Sequence, residues 1–261
     1  MINNKIGIIG GGNMGEALIK GLYSKHGIYV CENHPPRVKY LKSKYKGILV
    51  GDLKLAQEAS VIIFAVKPQE IDQVLKQIPI GKNKLFISIA AGLTTSFYEK
   101  NLGGNVRVVR AMPNMPALIA EGITGVCGGR YATVADIKAA EKILQTIGQT
   151  VTVKESLMDA ITAVSGSGPA YVFLFVEQWI NAAIKLGFDP PQARQLVYKT
   201  LLGSAHLLEK SQFDAGTLRA KVTSKGGTTQ AAMDIFSKSK FDLLIQKALL
   251  AAKNRSKELA K

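Results

Sequence analysis

A chain of 261 residues, 47% hydrophobic and 20% charged, is long enough for a large core and suits two domains better than one. Its formal net charge of +15, from 34 Lys+Arg against 19 Asp+Glu, favours an anionic ligand; the lysines are scattered and no aromatic-basic motif is present, so a small anion is expected rather than a nucleic acid. Cys31 and Cys127 form no C-x-x-C pair and read as reduced structural thiols, and no metal site is expected. Met1 runs into the first apolar segment without a secretory leader, and no stretch approaches the continuous apolar length of a membrane span, so the expectation is a cytoplasmic protein with no membrane partner.

The chain opens on Ile6-Gly7-Ile8-Ile9 followed by Gly10-Gly11-Gly12-Asn13-Met14-Gly15, which reads as strand, tight turn and helix. Gly10, Gly12 and Gly15 fit G-x-G-x-x-G: the first allows the turn, the second lets a pyrophosphate approach the backbone, and the third lets helix pack on strand. Helix-start amides around Asn13 and Met14 would face that pyrophosphate. Tyr29-Val30-Cys31-Glu32 is the next strand, and Glu32 lies about twenty residues past the turn, where an acidic residue meets the adenosine ribose. That carboxylate opposes a 2'-phosphate, while His34, Arg37 and Lys39 nearby favour one, which leaves the choice of cofactor open.

Strand and helix then alternate. Ile48-Leu49-Val50 is a strand and a helix starts near Leu53. Residues 61–66 are apolar on both faces, as in a buried parallel strand, and Pro68 holds Lys67 extended, so Ala65, Val66 and Lys67 fall at a strand's carboxyl end, where open α/β sheets bind ligands. Residues 85–92 form another buried strand that ends in small residues, among them Ala91, on which a flat ring fits. Residues 106–111 form a strand leading to the rigid turn Met112-Pro113-Asn114-Met115-Pro116. Thr124-Gly125-Val126-Cys127, a helix over residues 133–147 and Thr150-Val151-Thr152-Val153 complete a mostly parallel Rossmann-type sheet, with the domain boundary placed near Lys154. Beyond it everything reads as helix: residues 169–180, apolar nearly all round; a helix from Pro190 through His206; residues 216–222; and a last helix to about Leu259 after the turn Thr223-Ser224-Lys225-Gly226-Gly227-Thr228-Thr229. The fold class is therefore α/β, a Rossmann-type domain over residues 1–154 followed by an all-α domain over residues 155–261 that buries its apolar surface by oligomerising.

A Rossmann half followed by a helical half suggests a nicotinamide oxidoreductase whose substrate lies between them. Ketone reduction needs a general acid, commonly His or Lys on the helical domain, yet residues 155–183 contain no Lys, Arg or His and the three histidines, His26, His34 and His206, are poorly placed. Reduction of a protonated imine has no such need, since its nitrogen already carries the proton. Ser165-Gly166-Ser167-Gly168-Pro169 and residues 224–229 each read as a hydroxyl-bearing glycine turn entering a helix, suited to cradling a carboxylate.

Nearly end to end, the chain resembles pyrroline-5-carboxylate reductase, which reduces a cyclic imine to proline with NAD(P)H. The resemblance is carried by residues 6–15, Ala65-Val66-Lys67-Pro68-Gln69, Ser88-Ile89-Ala90-Ala91-Gly92, Arg110-Ala111-Met112-Pro113-Asn114, Ser165-Gly166-Ser167-Gly168-Pro169-Ala170-Tyr171 and residues 218–229. It implies that the glycine loop with Ala65, Val66 and Lys67 holds the cofactor, with Ala91 near the nicotinamide. It also implies that Ser224, Gly226, Gly227 and Thr228 hold the substrate carboxylate, that the Thr229 hydroxyl bonds the ring nitrogen, and that the helical domain makes a homodimer, often assembled into a homodecamer.

Three departures from the family pattern stand out. Lys225 replaces a usual Pro, and Met115 a common Thr; Glu32 and Asp52 stand where NADPH-preferring relatives have neutral residues, with Asn33 in place of the usual Arg. The last departure gives the expectation that NADH serves at least as well as NADPH. The competing readings are a 3-hydroxyacid-type reductase, which needs a lysine on the buried helix, another Rossmann-type imine reductase, and a non-catalytic nucleotide-binding protein.

Overall fold

The computed structural model describes residues 5–78 and 83–259. The chain divides into two compact units, Met1–Pro169 with Ala251–Lys261 and Ala170–Leu250. In the first unit, β1 (Lys5–Ile9), α1 (Asn13–Leu22), β2 (Gly27–Cys31), α2 (Pro35–Lys44), β3 (Leu49–Gly51), β4 (Val61–Phe64), α3 (Pro68–Gln77), β5 (Leu85–Ser88), α4 (Thr95–Asn101) and β6 (Arg107–Met112) follow in turn. They are followed by β7 (Gly122–Gly128), α5 (Val134–Leu144), β8 (Gly148–Thr152) and the short α6 (Met158–Ile161). The helix expected from Leu53 is a tight 3₁₀ segment, Leu53–Glu58, capped by Asp52.

These strands make one sheet in the order β3-β2-β1-β4-β5-β6-β7-β8, with every neighbouring pair parallel except the antiparallel β6 and β7. Residues 113–121 return the chain from β6 directly to its sheet neighbour β7, which therefore runs antiparallel to it. Side chains alternate between two cores. Ile6, Ile8, Val61, Ile63, Leu85 and Ile87 pack with Leu18 and Leu22 of α1 on one face, while Ile9, Ile62, Phe64 and Phe86 pack with Ile71 and Leu75 of α3 on the other. Each such fully buried side chain contributes roughly 1.5–3 kcal/mol. Because β1 sends its helix to one face and β4 sends its helix to the other, a crevice opens between their carboxyl ends, the switch point at which such sheets bind ligands.

Past α6, Thr162–Gly166 adopts a wide π turn. The Ser165 segment therefore covers the end of this π turn, a bend at Ser167 and the first residues of the next helix, from Gly168 on. Ser165 Oγ donates to the Ile161 carbonyl at 3.1 Å and Thr162 Oγ1 to that of Met158 at 3.0 Å, so these two hydroxyls serve the helix itself.

The second unit holds most of α7 (Gly168–Lys185) and of α11 (Phe241–Leu259), and all of α8 (Pro190–Lys210), α9 (Ala215–Lys221) and α10 (Thr228–Lys238). Asp189 and Asp214 cap α8 and α9 by accepting the Gln192 and Thr217 amides. The single last helix expected after the turn is in fact two, because Lys240 takes a φ of 52° and breaks the run between α10 and α11. A second expectation also needs correcting. Residues Glu155–Lys185 form a continuous helical run that is, by length and composition, apolar enough to cross a membrane. The serines and glycines inside it had disguised that length. Its Phe173, Leu174, Phe175 and Trp179 are exposed in the single chain.

Candidate active site

The candidate residues fall into two groups, one within each unit. In the first unit all of them lie along the carboxyl edge of the sheet, at the ends of β3, β2, β1, β4 and β5 in their spatial order. Gly10 follows β1 with a φ of 98°, and a Cβ there would stand 2.8 Å from the Ala65 carbonyl oxygen. At Gly15 a Cβ would stand 2.1 Å from the Gly10 carbonyl oxygen, so that glycine lets α1 close on the loop. Gly12 differs: a Cβ there meets nothing within 4 Å, and its φ of −64° suits any residue. Nothing inside the chain requires it to be glycine. Gly12 is also the N-cap of α1 with no side chain bonded over the helix start, and Gly12 and Asn13 are exposed while Met14 is half-buried.

Glu32 ends β2 and bends back over this loop. Its Oε2 accepts the Gly11 amide and its Oε1 accepts those of Asn33 and His34, each at 2.9 Å. Asp52, at the end of the neighbouring β3, accepts the Lys54 amide at 2.9 Å. Beneath the loop, Glu16 of α1 receives Arg37 at 2.5 Å, Lys44 at 2.8 Å, Tyr45 at 2.9 Å and Tyr40 at 3.0 Å. Burial pushes the Glu16 carboxyl upward, but the hydrogen bonds from Lys44, Arg37, Tyr45 and Tyr40 outweigh it and bring its pKa down to about 2.

Ala65 and Val66 follow β4 half-buried, and the Ala65 amide donates to Ile9 at 2.8 Å. Lys67 is exposed and extended (φ −65°, ψ 148°) ahead of Pro68, with its side chain at the start of α3. Ala91 is half-buried after β5, whose last residue, Ser88, donates to the Tyr98 hydroxyl at 2.6 Å. Burial pushes that tyrosine up to about 12. Asn114 of the proline turn is buried, and its Oδ1 accepts the Ile123 amide at 2.9 Å, which ties the turn to β7. Both cysteines are buried free thiols, raised by burial to about 11 for Cys31 and about 12 for Cys127, which makes them unreactive.

The sequence reading missed three features of this unit. Gly11, outside the fingerprint, is closely packed: a Cβ there would stand 2.6 Å from Leu41 Cδ1, so the buried Leu41 side chain would have to shift. Arg37 grips the loop rather than standing free (below). Arg110, 4% exposed, sits between Glu155 at 3.7 Å and Asp159 at 3.6 Å, while Glu155 also accepts the Thr95 amide and hydroxyl and Asp159 accepts Ser256. An arginine in the middle of the apolar stretch Val108-Val109-Arg110-Ala111 was the available signal for this network, which holds the start of α6.

In the second unit, Ser224, Gly226, Gly227, Thr228 and Thr229 lie together on the turn into α10. Gly226 has a φ of 70°, and the Gly227 amide returns to the Ser224 carbonyl at 3.0 Å. A Cβ at Gly227 would crowd Ser224 Oγ, so a larger residue would have to displace that hydroxyl. It caps α10 without a side-chain bond, which leaves first-turn amides open beside three hydroxyls. Ser224 and Thr228 are exposed and Thr229 is half-buried. Among the described residues no group of three His, Cys, Asp or Glu is arranged to hold a metal.

A glycine turn at the switch point of a sheet ordered 3-2-1-4-5-6, with an acidic residue over the loop from β2, defines a Rossmann-type dinucleotide-binding protein. Residues 155–259 match the family model described as pyrroline-5-carboxylate reductase dimerisation, and residues 5–92 match one described as NADP oxidoreductase, coenzyme F420-dependent. The chain is 40% identical to a pyrroline-5-carboxylate reductase of Methanosarcina acetivorans over 271 residues, covering 100% of both chains. It is similar to the solved structure of a pyrroline-5-carboxylate reductase from Coxiella burnetii (TM-score 0.91, 36% identity, 99% of each chain). It is also similar to the pyrroline carboxylate reductase of Plasmodium falciparum with NADP bound (TM-score 0.88, 32% identity, 100% of each chain). The chain belongs to the pyrroline-5-carboxylate reductase family, and with it to the NAD(P)-dependent oxidoreductases.

Proposed function

We propose that this protein reduces the C=N bond of 1-pyrroline-5-carboxylate to L-proline with NAD(P)H, the last step of proline biosynthesis. The observation that carries the cofactor half of the reading is Gly12: the chain has room for a side chain there, so a ligand's close approach is the reason for its absence. On this reading Gly10, Gly12, Asn13, Met14 and Gly15 cradle the pyrophosphate, Glu32 and Asp52 face the adenosine ribose, Ala65, Val66 and Lys67 line the switch point, and Ala91 lies by the nicotinamide. When bound, NAD(P)H supplies a hydride to the imine carbon.

The turn into α10 serves the substrate. Open amides at the helix start and the Ser224 and Thr228 hydroxyls hold the carboxylate, with Gly226 and Gly227 permitting the close approach. Thr229 bonds the ring nitrogen. As the new C–H bond forms, the C=N π pair moves to the already protonated nitrogen, so no side chain has to deliver a proton, in keeping with the absence of Lys, Arg and His from residues 155–183. Turnover of pyrroline-5-carboxylate, followed by NAD(P)H oxidation, tests this directly. Thr229→Ala is expected to lower kcat about a hundredfold, with Thr229→Ser largely restoring it. Wild-type protein that does not turn over the imine overturns the reaction, and full activity in the alanine variant overturns the role of Thr229.

The cofactor preference follows from charge. Glu32 is held over the loop by three amides and Asp52 by one, so two carboxylates at adjacent strand ends oppose a 2'-phosphate. NADH is therefore expected to support kcat/KM at least equal to that with NADPH, and a strong NADPH preference in steady-state kinetics is the contrary result. We further infer a cytoplasmic homodimer or homodecamer built through the helical domain over residues 155–261, with neither nucleic acid nor membrane as partner; the dimerisation-model match supports the pairing.

A further inference from the structure

Gly11, the loop glycine outside the fingerprint, is gripped at both ends. Its amide donates to Glu32 Oε2 at 2.9 Å, and its carbonyl accepts from Arg37 Nε at 2.5 Å. Arg37 goes further: Nη2 donates to the Gly12 carbonyl at 3.3 Å and to Glu16 Oε2 at 2.5 Å. Its guanidinium lies 4.9 Å from the Tyr40 ring centroid, and the Arg37 and Glu16 side chains are only 23% and 16% exposed. One side chain from α2 thus ties together two successive loop carbonyls and the first turn of α1.

In the sequence, Arg37 was one of three basic residues that favoured a 2'-phosphate. In the structure two of its three guanidinium nitrogens are committed to the loop and to Glu16, whose carboxylate stays ionised down to a pH of about 2 and balances the cation. We infer that Arg37 is a positioning residue of the pyrophosphate loop and not a ligand of the 2'-phosphate. It holds the Gly11 and Gly12 carbonyls on the α2 side, which keeps the uncapped amides of α1 available to the pyrophosphate. A loop fixed before binding has less freedom to lose when the ligand arrives. NADH and NADPH share the pyrophosphate and differ only in the 2'-phosphate, so both depend on Arg37 to the same degree.

The inference rests on the dinucleotide reading above, and binding measurements separate the two. NADH and NADPH are titrated by fluorescence into the full chain as wild type, Arg37→Met and Arg37→Lys, with thermal unfolding run alongside. Arg37→Met is expected to weaken both cofactors about tenfold with their ratio unchanged. Arg37→Lys keeps the charge but not the fork that reaches two carbonyls and a carboxylate, so it is expected to behave like the methionine variant, and kcat at saturating cofactor should hold in both. If Arg37→Met does not fold, Arg37→Lys carries the test. Selective loss of NADPH binding, rescue of NADPH by lysine, or no change with either nucleotide each overturns the role given to Arg37. Wild-type protein that binds neither nucleotide overturns the dinucleotide reading itself, and the inference with it.

Discussion

At the scale of single residues, the three fingerprint glycines stand in different surroundings, and the differences can be measured. Gly15 has the Gly10 carbonyl oxygen 2.1 Å from where a Cβ would sit, so Gly15→Ala must push α1 off the loop. A loss of about 2–3 kcal/mol in denaturant unfolding is expected, together with weaker nucleotide binding. Gly12 has open space and an ordinary φ of −64°, so Gly12→Ala should unfold like wild type and yet bind NAD(P)H much more weakly. Equal binding by wild type and Gly12→Ala would remove the main support for the pyrophosphate site. The spacing of Gly10, Gly12 and Gly15 was legible in the sequence because it is local. The close packing at Gly11 was not, since the neighbour is Leu41, a residue on another helix.

At the scale of elements, the strands were legible and the polar ties between elements were not. Residues 61–64 are apolar on both faces because cores lie on both sides of β4, and that pattern can be read off the chain. The ends of helices proved harder. Ser165 stands in a stretch with the composition of a turn but bonds its hydroxyl back into a helix, and Lys240 breaks a run that nothing in the local pattern interrupts. The Glu16 cluster, which joins α1 to α2, spans more than twenty residues of sequence, beyond the reach of any helical period. It makes a pH-dependent contribution whose sign follows from the shift. Glu16 falls from 4.5 to about 2 on folding, so its contribution is complete above pH 4.5 and fades as the pH drops through about 2. Unfolding free energies of wild type and Glu16→Gln, measured across that window, should differ at neutral pH by on the order of 1–2 kcal/mol after allowance for solvent screening and converge towards pH 2. A gap that stays constant with pH would mean that charge is not what the cluster uses.

At the scale of the whole molecule, the two units bury apolar surface very differently. The sheet encloses its isoleucines almost completely, whereas in Ala170–Leu250 the buried hydrophobic side chains are small, Val176, Ala183, Ala193 and Val197, and Phe173, Leu174, Phe175 and Trp179 of α7 stay exposed. Large apolar groups gathered on one helix call for a partner surface, and a run long enough to cross a bilayer could in principle meet lipid instead. The chemistry of the run favours protein. Glu155 and Asp159 lie within it and face Arg110, Glu177 is carried further along, and the dimerisation model begins at residue 155 and continues to 259. A second copy of the chain covering α7 would bury these side chains at roughly 25 cal/mol per Å² of apolar surface, a driving force that scales with the interface and that one charge can undo. Phe173→Glu combined with Leu174→Glu is therefore expected to turn an oligomer into monomers in sedimentation velocity without detergent, and to lower the unfolding temperature of the helical part first. Wild-type protein that sediments as a monomer, or paired glutamates that leave the oligomer intact, would show that α7 is not the surface that assembles the enzyme.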